Sequence, residues 1–105
     1  MRNLTITRDT TFVGCAMKCK MYLKDNNGDY FINTDRCRLI AVLKNNSTCT
    51  CEIDEGENVV YAIYDDLSKD VCFGKKVIPA GTEDVQIHGK PKFSPFAGNP
   101  FRFAD

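Results

Sequence analysis

The chain has 105 residues, a length at which a single domain is the rule, and its 14 Lys and Arg balance 14 Asp and Glu. With no excess positive charge to neutralise phosphates, nucleic-acid and anionic-membrane binding lose their usual electrostatic basis. A hydrophobic share of 43% excludes a disordered chain, and no apolar run approaches the ~18 residues of a membrane span. Met1 to Thr11 lacks a basic region followed by an apolar one, so a chain that stays in the cytoplasm is expected.

Val, Ile and Thr number 22 against 11 Leu and Ala, and branching at Cβ favours a pleated strand over a helix. Asn, Asp and Gly add 25 residues, clustered between the apolar stretches where turns need them. Leu4 and Ile6, flanked by threonines, make a short edge strand. From Thr11 the chain alternates, placing Val13, Cys15, Met17, Cys19, Met21 and Leu23 on one face and Lys18, Lys20 and Lys24 on the other. Gly14 marks a bulge or bend in that strand. Asp25-Asn26-Asn27-Gly28-Asp29 reads as a hairpin turn, because Asn-Gly tolerates positive φ.

Leu39 to Leu43 is a solid apolar run, read as a strand; periodicity leaves open a short helix capped by Thr34 or Asp35. Asn45-Asn46-Ser47 turns the chain into Thr48 to Ile53, with Cys49, Cys51 and Ile53 inward and Thr48, Thr50 and Glu52 outward. Asp54-Glu55-Gly56 then reverses it into Val59 to Tyr64, which predicts a hairpin. Val71 to Ile78 and Asp84 to His88 follow, separated by Pro79-Ala80-Gly81. Six to seven mostly antiparallel strands at this spacing predict an all-β sandwich, immunoglobulin-like or transthyretin-like, over residues 1–89.

Residues 90–105 change character, holding three of the four prolines and four of the seven phenylalanines. Burying a phenylalanine is worth about 1.5 to 3 kcal/mol, so Phe93, Phe96, Phe101 and Phe103 should dock on something. The domain itself is the simpler surface. A protein partner, or a second copy exchanging its tail, is the sharper alternative and makes these four the candidate partner-binding residues.

Six cysteines invite a disulfide framework, a metal or redox site, or small core residues. Same-face residues four apart on a strand have Cα atoms roughly 13 Å apart, so Cys15 and Cys19 cannot bridge each other or share one zinc. Cys49 and Cys51 lie roughly 6.8 Å apart, which is marginal, and no C-x-x-C occurs. Reduced, buried thiols are the first reading; cross-strand combinations of Cys15, Cys19, Cys49 and Cys51 keep a metal or redox role open.

Asp25-x-Asn27-x-Asp29 looks like an EF-hand or dockerin-type calcium loop, with alternate oxygens that can wrap an ion. Tyr30 at the sixth position and Arg36 at the twelfth depart from that pattern, and a plain Asn-Gly turn is the alternative. His88 falls on the polar parity with Gln86, as an exposed strand-end histidine. No convergent catalytic set, phosphate loop or acid-base dyad is present, so no enzyme and no cofactor is expected.

Lys20-Met21-Tyr22-Leu23, and the strand, Gly turn and strand from Cys51 to Ala62, resemble small bacterial β-sandwich modules of the PEGA or carboxypeptidase-regulatory type. The resemblance covers Lys18 to Tyr64, under half the chain, and implies a non-catalytic accessory or binding domain. Gly28 to Arg38 is longer than the pattern needs, and no proline precedes the Gly56 turn. The resulting expectation is a non-enzymatic binding or protein-interaction module; a cysteine-based metal or redox protein and a calcium-stabilised module are the alternatives.

Overall fold

A computed structural model describes residues 1–10, 18–32, 34–64, 73–91 and 101–104. Among these it shows nine strands and no helix: β1 (Arg2–Arg8), β2 (Cys19–Lys24), β3 (Tyr30–Ile32), β4 (Asp35–Leu43), β5 (Ser47–Ile53), β6 (Asn58–Tyr64), β7 (Phe73–Ile78), β8 (Val85–Pro91) and β9 (Phe101–Phe103). They form a four-stranded sheet in the order β5-β1-β8-β9 and a five-stranded sheet in the order β3-β4-β2-β6-β7. The expected all-β sandwich is the architecture, with more strands than the spacing predicted. The apolar run Leu39 to Leu43 is strand, not helix.

Alternation decides what each strand buries. Leu4 and Ile6 of β1, Cys19, Met21 and Leu23 of β2, and Val60 and Ala62 of β6 enter the interior between the sheets. Tyr22 and Tyr61, which face each other in the register between β2 and β6, carry the opposite parity. They join Ile32, Cys37, Val59 and Ile63 in a second buried cluster on the other face of the same sheet. The five-stranded sheet is thus apolar on both sides, which is why Val59 to Ile63 is buried without a break.

Three expectations about connectivity are corrected. β1 is not an edge strand: it lies between β5, antiparallel to it, and β8, parallel to it. The Asp25–Asp29 turn does not join neighbouring strands, because β4 pairs with both β2 and β3 and lies between them. The turn at 54–56 does not close a hairpin either: like the turns at 79–81 and at Asn45-Asn46, where Asn46 takes a φ of 58°, it carries the chain from one sheet to the other.

Arg2 and Arg8 share the inward face of β1 with Leu4 and Ile6, and both are buried. Arg2 donates from Nε to Asp54 O at 3.1 Å and from Nη2 to Gly56 O at 3.1 Å and Pro79 O at 2.9 Å. Arg8 donates from Nη1 to Leu43 O at 2.8 Å. A buried guanidinium is tolerable only when its donors meet acceptors, and here the acceptors are the carbonyls of the sheet-crossing segments.

The two long sides of the sandwich differ. On one, β9 pairs with β8 and touches β7, so the edges of both sheets meet. A Cβ on Gly74 would sit 2.3 Å from Phe101 O, a distance that demands glycine. On the other side, among the described residues, β3 pairs only with Asp35 to Cys37, which leaves residues 38–43 of β4 and the whole of β5 along an open margin.

Candidate functional site

The candidate calcium turn is held by its own chain. The Asn27 N–H donates to Asp25 Oδ1 at 2.9 Å, and Arg38 Nε meets Asp25 Oδ2 at 2.9 Å. Gly28 backs against β4 so closely that a Cβ would lie 2.1 Å from Cys37 O, and Arg36 Nη1 donates to Gly28 O at 3.1 Å. Asp29 points to solvent. Both oxygens of Asp25 are therefore engaged, one in an Asx turn and one in an ion pair. Among the described residues no three His, Cys, Asp or Glu side chains come together as a metal site.

Of the four cysteines singled out, Cys15 lies outside the described residues. Cys19 is fully buried in the interior; Cys49 and Cys51 are half-buried on β5 and pack against the same interior. Cys37, which sequence reading passed over, is buried in the second cluster and donates from Sγ to Asp35 O at 3.6 Å. All four described cysteines are thiols rather than disulfides. Burial pushes the Cys37, Cys49 and Cys51 thiols above their ordinary range; the Asp35 charge adds to this at Cys37, and Arg38 opposes it at Cys51. Raised thiols are poor nucleophiles and poor ligands.

Phe93 and Phe96 lie outside the described residues. Phe101 is 1% exposed and belongs to the interior, with Phe103 packed edge-on against it at 5.0 Å between ring centroids. Phe101 is consequently packed into its own domain. Exchange of β9 with a second copy would have to pull it out. His88 is exposed as expected, with Nδ1 2.6 Å from Asp9 Oδ2.

Two polar arrangements were not foreseen. The Tyr61 hydroxyl donates to Asp35 Oδ2, with Lys24 Nζ 3.5 Å from the other Asp35 oxygen and Lys75 Nζ over the Tyr61 ring at 5.9 Å. The hydrogen bond holds the Asp35 carboxyl below its ordinary range, helped by Lys24, while burial and the Asp35 contact push Tyr61 far above its own. A neutral tyrosine donating to a fixed carboxylate is a pin between β4 and β6, with no proton to give at neutral pH. The second is a cleft of about 420 Å³ between the Asp25 turn and the 54–58 connection, lined by Lys24, Asp25, Arg38, Glu52 and Glu57 with Leu23 and Val59 beneath. Its charges are mixed.

The open margin is different in kind. On β4, Leu39 is 48% exposed and Val42 44%, both on the face turned away from the other sheet, whereas Ile40 and Ala41, like Cys49 and Cys51 of β5, are half-buried against the interior. Ser47-Thr48-Cys49-Thr50-Cys51 carries no charge, and Glu52 is the one ionised side chain on β5. On its inner side β5 pairs with β1 throughout, reinforced by Thr5 Oγ1 to Thr50 Oγ1 and Thr7 Oγ1 to Thr48 Oγ1, both 3.2 Å. Among the described residues nothing pairs with its outer side. Exposed edge strands are normally guarded by lysine, proline or a bulge, and β5 has none of these.

Comparison with known proteins gives no match: no protein-family model, no curated protein and no solved structure matches the chain. Among the described residues no helix is long and apolar enough to cross a membrane.

Proposed function

We propose that this chain is a non-enzymatic protein-interaction module that accepts an extended segment of a protein along the outer edge of β5. The observation that carries the reading is a seven-residue edge strand with a single charge and, among the described residues, no strand on its outer side. Such an edge offers main-chain donors and acceptors for affinity, and alternate side chains for specificity. The likeness of Lys18 to Tyr64 to accessory β-sandwich modules agrees with a binding role, and an immunoglobulin-like or transthyretin-like label belongs to the same proposal. Thiols at Cys19, Cys37, Cys49 and Cys51 are in keeping with a reducing compartment such as the cytoplasm.

The test is hydrogen exchange of the full chain with and without a blocked Thr-Val heptapeptide, an uncharged strand former. Slowed exchange confined to β5 and its border is expected. Protection elsewhere, with β5 unchanged, would refute the reading.

A further inference from the structure

We infer that the segment seated on β5 is the β5 of a second copy of this chain, paired antiparallel about a two-fold axis through Thr50. The inference rests on the interaction-module reading and names its partner. At one end of β5 stands Lys44, and Lys18 lies beside it because Cys19 pairs with Leu43; both lysines are exposed. At the other end, Glu52, Asp54, Glu55 and Glu57 are all exposed. The run Ser47 to Cys51 between them is uncharged; Lys24 and Arg38 share the cleft at the far end, but the exposed carboxylates there outnumber them, so the edge is basic at its start and acidic on balance at its finish.

A polarised edge discriminates between its possible pairings. Parallel pairing of two copies sets acid against acid and lysine against lysine. Antiparallel pairing brings the lysines of each copy to the acidic end of the other, twice over, as an isologous interface requires. A two-fold axis normal to the sheet keeps each residue on its own face, so the axis must pass through one residue that opposes itself. Thr50 is the midpoint of Ser47–Ile53, and the axis through it overlaps the entire strand.

That register opposes Ser47 to Ile53, Thr48 to Glu52 and Cys49 to Cys51, with no like charges facing each other. The outer face then carries Thr48, Thr50 and Glu52, which remain beside the Thr5 and Thr7 side chains of β1. The result joins two four-stranded sheets into one of eight strands and removes both exposed β5 edges.

The experiment is native mass spectrometry of the full chain over a concentration series, with charge variants at the axis. The wild-type chain should dimerise. Thr50→Lys and Thr50→Glu each place like charges across the axis and should each give monomer, and an equal mixture of the two should recover a mixed dimer. Thr50 is exposed, so both variants should keep the wild-type fold. A second pair reads the register: Thr48→Glu, opposite Glu52, should weaken the dimer, whereas Thr48→Lys should tighten it.

A wild-type chain that stays monomeric at every concentration overturns the inference, as does a dimer indifferent to both Thr50 variants. The heptapeptide separates this failure from failure of the broader reading. If the wild-type chain is monomeric yet protects β5 with the peptide, the edge binds a strand from another protein; if β5 stays unprotected, both readings fall.

Discussion

Arg2 and Arg8 stand at the two ends of β1 on one inward face, and between them they hold chain segments at three of the four sheet crossings: Arg2 the carbonyls of Asp54, Gly56 and Pro79, Arg8 that of Leu43. The N–H of Gly81 adds a 2.9 Å bond to Glu55 O, tying two of those crossings to each other. Replacing Arg2 with methionine keeps the buried stem and leaves three carbonyls short of a donor. The expected cost is about 3 kcal/mol, read as a lower guanidinium midpoint with an unchanged slope. Arg2→Lys should recover little, because an ammonium on a flexible stem lacks the planar fork that reaches separate acceptors.

The Tyr61–Asp35 pin makes stability depend on pH at both extremes. Asp35 titrates lower folded than unfolded, so its contribution is present above its ordinary value of 3.8 and is lost as pH falls through the depressed folded value. Tyr61 titrates higher folded than unfolded, so its contribution is present below its ordinary value of 10.0 and is lost as pH rises beyond it. Tyr61→Phe should cost about 1.5 kcal/mol at neutral pH. Thermal melts should show the gap from wild type narrowing in acid and again in alkali; a constant gap would detach the effect from this hydrogen bond.

Gly74→Ala should open the closed side of the sandwich. The added methyl meets the backbone of Phe101 rather than the end of a flexible side chain, so β9 itself must move. A loss of about 1 to 3 kcal/mol is expected for such overpacking, accompanied by faster hydrogen exchange at residues 101–103. Loss of stability without faster exchange there would place the damage elsewhere.

Calcium should do nothing. With both Asp25 oxygens already committed, the melting temperature should be the same with added calcium and with chelator, and Asp29→Asn should be neutral. A rise in melting temperature with calcium that Asp29→Asn abolishes would restore the calcium-stabilised reading.

Much of the interior was legible from alternation alone. Cys19, Met21 and Leu23, and Cys49, Cys51 and Ile53, face where period two puts them, because a one-residue slip would expose every one of them. The same rule, applied to β1, places Arg2 and Arg8 inward beside Leu4 and Ile6, but their charge argues for the surface. Only the carbonyls they meet, many residues away, reverse that argument. The turns were legible as reversals and not as crossings, since Asp54-Glu55-Gly56 specifies a change of direction and not the sheet in which the next strand finds its neighbours. The open margin left a trace in the uncharged run Ser47 to Cys51, but whether such a run is an edge or an interior strand depends on pairings that no local pattern encodes.

The parallel pairing of β1 with β8 orders events in folding. Residues 19–78 contain every strand of the five-stranded sheet, whereas the centre of the other sheet joins Leu4 to Val85 and Ile6 to Ile87. Closing so long a loop costs entropy before any contact repays it, which makes this pairing intrinsically slow. Until β8 arrives, β1 has only β5 beside it, and Arg2 meets its Pro79 acceptor only where the chain turns into β8, so this late pairing also completes the set of carbonyls around a buried charge.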